Sequence, residues 1–382
     1  MPISSKLPQV GTTIFTTMSK LATDYGAINL SQGFPGFDCD PALVDLVTKY
    51  MKAGHNQYAP MSGVPVLRER IAEKTRLIYG VELNSETEVT VVSGATEAIY
   101  AAVTAVVKQG DEVILFDPAY DCYAPAIELN GGIPIYVPLV MPDFSVDWDK
   151  VNSAISDKTR LILVNTPHNP SGYVWTPFDL ATLAELIQDR DILVISDEVY
   201  EHIIFDGRTH LSLLTHPALR ERTFVCGSFG KTFHVTGWKI GYCLAPPRLS
   251  DEFRKIHQFL TFSTATPMQY ALADYLAKPN HYLNLPTYYQ QKRDLFCEGL
   301  KTTAFEFIPA QGSFFQMVSY GHLSQEPDKE LAVRLTKEIG VASIPISVFF
   351  SDQRDHKILR FCFAKEDEEL MKALDKLQNL DL

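Results

Sequence analysis

From Glu88 onward the chain alternates short, uniformly apolar runs with stretches whose apolar residues recur at helical spacing. The apolar runs cover 89–93, 112–117, 133–138, 160–165, 192–197, 223–228 and 242–245, and helices are expected between them over 96–107, 123–130 and 178–188. Runs without polar alternation predict strands buried on both faces, and helical crossovers make most of them parallel. The expected fold is therefore α/β, a mostly parallel sheet with helices on both faces, and residues at the carboxyl ends of its strands should line a ligand-binding edge. Ahead of this region, helices are expected over 41–52 and 64–79, the second with Leu67, Ile71 and Ile78 on one face. They follow an arm with a short helical pattern through Met18 and Leu21. Behind the region, four or five helical segments span 248–301, one of them unbroken from Tyr282 to Leu300. Strands over 314–318 and 358–363 with helices over 328–338 and 367–378 then predict a smaller α+β unit.

Composition narrows the classes of function. Of 382 residues, 46% are hydrophobic and 21% charged, which describes a well-packed globule rather than a disordered chain. A formal net charge of −12, with no local cluster of Lys and Arg, argues against nucleic acid as a partner. No apolar run reaches the roughly 18 residues of a membrane span, and the opening residues lack a basic start followed by an apolar core, so neither a membrane nor an export route is expected. The six cysteines are scattered without a C-x-x-C pair, which predicts reduced thiols and a cytoplasmic setting. Ten histidines show no metal-ligand spacing, so no metal is expected.

Candidate chemistry gathers where apolar runs end. The glycine-punctuated stretch from Gly227 to Gly241 joins two of them and holds Lys231 and Lys239. A lysine leaving a buried strand in such a turn can be held against a cofactor; the alternative is a solvated surface loop. Gly230-Lys231-Thr232 is not the tail of a phosphate-cradling P-loop, because Val225 stands where that motif needs glycine. Nor do any two glycines lie two apart, which removes the dinucleotide fingerprint. Asp197 closes a run that reads as buried, and a buried carboxylate needs a cation or neutralises; a cationic ring nitrogen would suit it, and a turn or cap is the alternative. Ser93-Gly94-Ala95-Thr96 opens a helix with a small turn suited to phosphate, or is an ordinary helix start capped by Thr96. The two-proline loop from Asn165 to Gly172 is stiff enough to aim Asn169, or is a plain structural turn. Tyr120 offers an aromatic face, either to a flat ring or to the core. Arg360, embedded in Leu359-Arg360-Phe361-Cys362, matches a carboxylate with its planar fork, unless an internal acid pairs with it.

Together with Gln32-Gly33-Phe34-Pro35 and Asn56-Gln57-Tyr58, these pieces resemble the class I aminotransferases among the fold-type I pyridoxal-5′-phosphate (PLP) enzymes. The wording around Thr12-Thr13-Ile14-Phe15, Pro167-His168-Asn169-Pro170 and Lys231 to Gly241 is most similar to the methionine and kynurenine aminotransferase branch. The resemblance implies a seven-stranded sheet in a large PLP-binding domain, 41–285, and a small domain, 286–382, joined by an arm, 1–40. It implies that Lys231 forms the Schiff base with PLP and shuttles the substrate proton. Asp197 would pair with the pyridinium nitrogen, Tyr200 and Asn169 with the phenolic oxygen, and Tyr120 would stack on the ring. Phosphate would rest on Ala95, Thr96, Ser228, Lys239 and Tyr58 from the neighbouring subunit of a homodimer. Many relatives carry arginine in place of Lys239, and usually aspartate in place of Gly36. Arg360, Gly33 and Asn169 would hold the substrate carboxylate, with Phe15, Phe34, Tyr58 and Phe262 forming an apolar side-chain pocket. The implied reaction is transamination of methionine and aromatic amino acids (phenylalanine, tyrosine, kynurenine or histidine) with a 2-oxo acid. A β-eliminating C–S lyase on the same scaffold is the alternative. A PLP-binding regulator would need a DNA-binding extension that the sequence does not display.

Overall fold

A computed structural model of the chain describes residues 3–8, 10–378 and 380. After a two-residue strand, β1 (Ile28–Asn29), the apolar runs form β2 (Val89–Val92), β3 (Glu112–Asp117), β4 (Ile133–Pro138), β5 (Thr159–Asn165), β6 (Leu193–Asp197), β7 (Thr223–Ser228) and β8 (Gly241–Leu244). These seven make one sheet in the order β2-β8-β7-β6-β5-β3-β4. It is parallel except for β8, which runs against both of its neighbours. Successive residues of the inner strands feed opposite cores. Leu115, Leu163 and Ile195 pack with Ile99 and Phe253 on one face, whereas Ile114, Ile162 and Val194 pack with Trp148 and Leu183 on the other. The α/β expectation, helices on both faces of a mostly parallel seven-stranded sheet, is met.

Three local expectations need correction. β4 is a sheet edge, so Ile133 is exposed and the strand is not buried on both faces. The helix expected from Tyr282 to Leu300 divides at Asn284 into Asn280–Leu283 and Leu285–Leu300, because Pro286 occupies the first turn of the second helix and cannot donate back into the first. The helix expected over 328–338 is α-helical only through Asp328–Arg334 and ends in a wider turn, Leu335–Ile339, closed by Gly340 at φ 80°. The Trp148–Ala154 helix, capped by Asp147, was not foreseen.

The C-terminal third contributes β9 (Phe315–Ser319), β10 (Val341–Ala342), β11 (Ile344–Pro345) and β12 (Ile358–Cys362). β11, β12 and β9 form an antiparallel sheet. The beginning of the chain joins this part: β1 pairs with β10, and the Cys362 amide donates to the Leu30 carbonyl at 2.8 Å.

Behind the large sheet, the Pro65–Tyr79 helix is pinned by a buried polar cluster. Lys74 Nζ donates to Glu201 and at 2.7 Å to the Tyr242 hydroxyl, and the Tyr79 hydroxyl donates to Glu201 at 2.5 Å. Tyr242 fits because its cross-strand partner is Gly227, where a Cβ would lie 2.2 Å from the tyrosine ring. Among the described residues no helix is long and apolar enough to cross a membrane, and no group of acidic, His and Cys side chains could hold a metal. All six cysteines are free thiols.

Candidate active site

The carboxyl ends of β5, β6 and β7 lie side by side, with Asn165 opposite Asp197 and Asp197 opposite Cys226. Over them opens a cavity of about 340 Å³, walled on the far side by the N-terminal segment and β12. Lys231 enters it from the single helical turn Phe229–Thr232 that follows β7, and its Nζ donates to the Gly33 carbonyl at 2.7 Å. The side chain faces the open cavity but lies deep in the protein. Desolvation therefore dominates and, with the positive charges of Arg360 and Lys239, lowers its pKa from 10.5 to about 8.

Asp197 ends β6 and is buried. Its Oδ2 accepts from the Tyr123 hydroxyl at 2.6 Å and its Oδ1 from the Val199 amide at 3.3 Å. Burial nevertheless prevails over these donors and over Lys231, pushing the carboxyl from 3.8 up to about 6. An acid held so far above its usual range lacks a full counter-charge, which a cationic ring nitrogen would supply.

One end of the cavity is built for an anion. The Gly94–Val106 helix points its N-terminus inward without a side-chain cap from Ser93, leaving its first amides available. The capping role expected as an alternative for Thr96 is not observed, since the helix begins two residues earlier and Thr96 lies within its first turn. Ala95, Thr96, Ser228 and Lys239 all face the cavity here. Close approach depends on glycine. Gly94 has φ +78° and a Cβ on it would stand 3.3 Å from Lys239 Nζ, whereas a Cβ on Gly241 would lie 2.5 Å from the Gly227 carbonyl and 3.1 Å from the Ala95 amide.

The other end holds Arg360, almost completely buried in β12. Its Nη1 donates to Asn169 Oδ1 at 2.6 Å and Nη2 to the Ser31 carbonyl at 3.4 Å, while Nε finds no partner among the described residues. The guanidinium rests 3.8 Å from the centre of the Phe315 ring. Among the described residues no carboxylate forms an ion pair with it, so the internal pairing considered as an alternative does not occur. Desolvation lowers its pKa to about 10. A buried cation with a spare donor, opening on a cavity, is a seat for a carboxylate. Asn169 is aimed by its neighbour in the loop: its amide donates to Asn165 Oδ1 at 2.7 Å, and Asn165 Nδ2 donates to the Asp197 carbonyl at 3.0 Å. Tyr120, Tyr200 and Phe15 complete the walls.

Thus Lys231, Asp197, Tyr200, Ala95, Thr96, Tyr120, Asn169, Ser228, Lys239, Gly33, Arg360 and Phe15 line one cavity. Tyr58 and Phe262 do not. They are 85% and 43% exposed and meet each other edge to face at 5.4 Å, outside this chain's cavity. Phe262 follows the Pro247–Leu260 helix at φ +68° and shares the exposed position of Tyr58. Three residues of the site were missed. Tyr123 stands three positions after Tyr120, and Asn165 opens the Asn-Pro loop, so both were within stretches already singled out. Phe315 carries no local signal; only the pairing of β9 with β12 brings it beneath Arg360.

The donors present fit PLP: an uncapped helix end with Lys239 and Ser228 for a phosphate, an under-compensated carboxylate for the ring nitrogen, and a lysine of lowered pKa between them. Residues 25–377 match the family described as aminotransferase class I and II. The chain is 53% identical over 377 residues to the methionine aminotransferase of Escherichia coli (strain K12), covering 98% of each. It is 35% identical over 419 residues to the kynurenine–oxoglutarate transaminase of Dictyostelium discoideum, covering 99% of this chain and 96% of the relative. It superposes with a TM-score of 0.97 and 52% identity, over 100% of both chains, on the Escherichia coli protein YbdL, whose crystal structure and reactivity identify a methionine aminotransferase function. With agreement across nearly its whole length, the chain belongs to the class I and II aminotransferases, enzymes of the fold-type I PLP-dependent architecture.

Proposed function

We propose that this aminotransferase takes its amino group from methionine and from aromatic amino acids and gives it to a 2-oxo acid. The observation that carries this reading is the composition of the substrate end. Arg360 is the one guanidinium lining the cavity among the described residues, and Phe15, Phe34 and Tyr120 line the same cavity. One cation suits the α-carboxylate of every amino acid; the aromatic walls favour an apolar side chain over a second carboxylate, which would need another cation. The similarity to a methionine aminotransferase supports the same preference.

PLP, when bound, supplies an electron-accepting ring for the charge left at the substrate α-carbon. The residues divide the remaining work. Arg360 and Asn169 orient the α-carboxylate, and Lys231, neutral in a useful fraction near pH 8, takes the α-proton and returns it. A tethered amine does so without the entropy cost of a free base. Asp197 would keep the ring nitrogen protonated, with Tyr123 holding Asp197 in place, and Tyr200 and Asn169 would serve the phenolic oxygen. Tyr120 would cover the ring, while Ala95, Thr96, Ser228 and Lys239 would hold the phosphate. Lys239 does so as a point charge, without the fork of an arginine.

The exposed Tyr58 and Phe262 fit a homodimer in which each copy lends Tyr58 to the other's phosphate site. A division into an arm (1–40), a large domain (41–285) and a small domain (286–382), and residence in the cytoplasm, complete the proposal. The test is a screen of amino donors against several 2-oxo acids, with wild type and Lys231→Ala. Methionine and phenylalanine should lead the donors and the variant should be inactive. Faster turnover of aspartate than of methionine would overturn the specificity. Release of pyruvate from cystathionine without any acceptor, at a rate above transamination, would favour the lyase alternative.

A further inference from the structure

The N-terminus of the Gly94–Val106 helix holds a conflict. Under the proposed function it receives a phosphate, yet Glu97 in its first turn folds a carboxylate back onto the same end and accepts from the Ser93 amide. Two anions served by one helix end compete and repel. The conflict is resolved by His257, which is fully buried in the Pro247–Leu260 helix. Its Nε2 lies 2.9 Å from the Met61 carbonyl, which only accepts, so Nε2 carries a hydrogen. Its Nδ1 lies 2.5 Å from Glu97 Oε1. Two bare acceptors at that distance would repel, so a proton stands between them. Written as imidazolium with carboxylate or as imidazole with carboxylic acid, the pair is neutral. Met61 is three residues beyond Tyr58, so the same ring also anchors the loop that carries this tyrosine.

We propose that His257 is a positioning residue for the cofactor phosphate. By sharing a proton with Glu97 it keeps the helix end free of competing charge, and its bond to the Met61 carbonyl fixes the ring in the orientation that does so. This rests on the PLP reading above and concerns residues that do not touch the cavity.

The test compares dissociation constants for PLP and for pyridoxal, which lacks the phosphate, by equilibrium dialysis. Wild type, His257→Leu, Glu97→Gln and the double variant are used, each checked by near-UV circular dichroism. His257→Leu leaves the carboxylate without its proton partner, and PLP affinity should fall about tenfold or more while pyridoxal changes less than about threefold. Glu97→Gln can still accept from Ser93 and donate to Nδ1, so it should stay within about threefold of wild type, and adding it to His257→Leu should restore most of the loss. Equal loss of PLP and pyridoxal in His257→Leu would overturn the proposal, as would failure of Glu97→Gln to rescue it. If His257→Leu does not fold, Glu97→Gln alone decides, since a loss of about tenfold in PLP affinity there would show that the charge itself is needed. Wild-type protein that binds no PLP would instead overturn the cofactor reading beneath it.

Discussion

Asp197 shows how a side chain suited to its chemistry strains the fold that carries it. Its ionised form is disfavoured in the folded protein, because its pKa is about 6 there and near 3.8 when exposed. The penalty is absent below pH 3.8, where both states are protonated, grows between the two values, and is complete above pH 6. For cofactor-free protein, Asp197→Asn should therefore gain stability on raising the pH from 3.5 to 7, by on the order of 3 kcal/mol relative to wild type. Urea unfolding at the two pH values measures this, and a pH-independent difference would refute it. The same variant should lose activity by about two orders of magnitude, as when a preorganised electrostatic group is removed. Lys231→Ala should abolish transamination, which a loss of 2-oxo-acid-dependent turnover of methionine would show. Asp197 and Arg360 stood out in the sequence because a charge in an apolar run is costly without a purpose, and Lys231 because a glycine-punctuated turn carries it out of such a run. Phe315 was not, since an aromatic residue in an apolar strand looks the same in a core as beneath a guanidinium.

The strands and helices show why the order of elements was easier to foresee than their ends. β3, β4 and β7 have the bounds expected from the apolar runs, as do the Pro41–Lys52 and Asp367–Gln378 helices. β4 nevertheless lies at an edge, and nothing local in its sequence says so. Sheet order is a long-range property, as is the approach of the Pro65–Tyr79 helix to the back of the sheet. That contact turns on Lys74, buried against Glu201 and Tyr242. Lys74→Met would leave Glu201 with tyrosine donors but no cation, and should cost about 3–5 kcal/mol. Adding Glu201→Gln, which removes the uncompensated charge, should recover most of it. Denaturant midpoints of the two variants check both statements. No recovery in the double variant would mean that packing of the lysine stem, rather than its charge, holds the helix.

At the scale of the whole molecule, the exposed Tyr58–Phe262 pair gives the dimer proposal a direct test. A Tyr58→Ala subunit retains Lys231, and a Lys231→Ala subunit retains Tyr58. If each tyrosine serves the neighbouring site, mixing the two inactive or weakened variants under exchanging conditions should rebuild about a quarter of wild-type sites, one in each hybrid dimer. No recovery despite hybrid formation, followed by size-exclusion chromatography and mass spectrometry, would confine Tyr58 to its own chain. The closure of the cavity by Ser31 and Arg360, which bond across a sequence separation of 329 residues, carries another consequence. While the polypeptide is emerging from the ribosome, β1 has no β10 to pair with and Ser31 no Arg360 to lie beside until translation is nearly over. The large sheet can form earlier from nearer neighbours, but the seat for the carboxylate forms last. Stalled nascent chains ending before β12 would then lack that seat, and only finished chains could gain the catalyst.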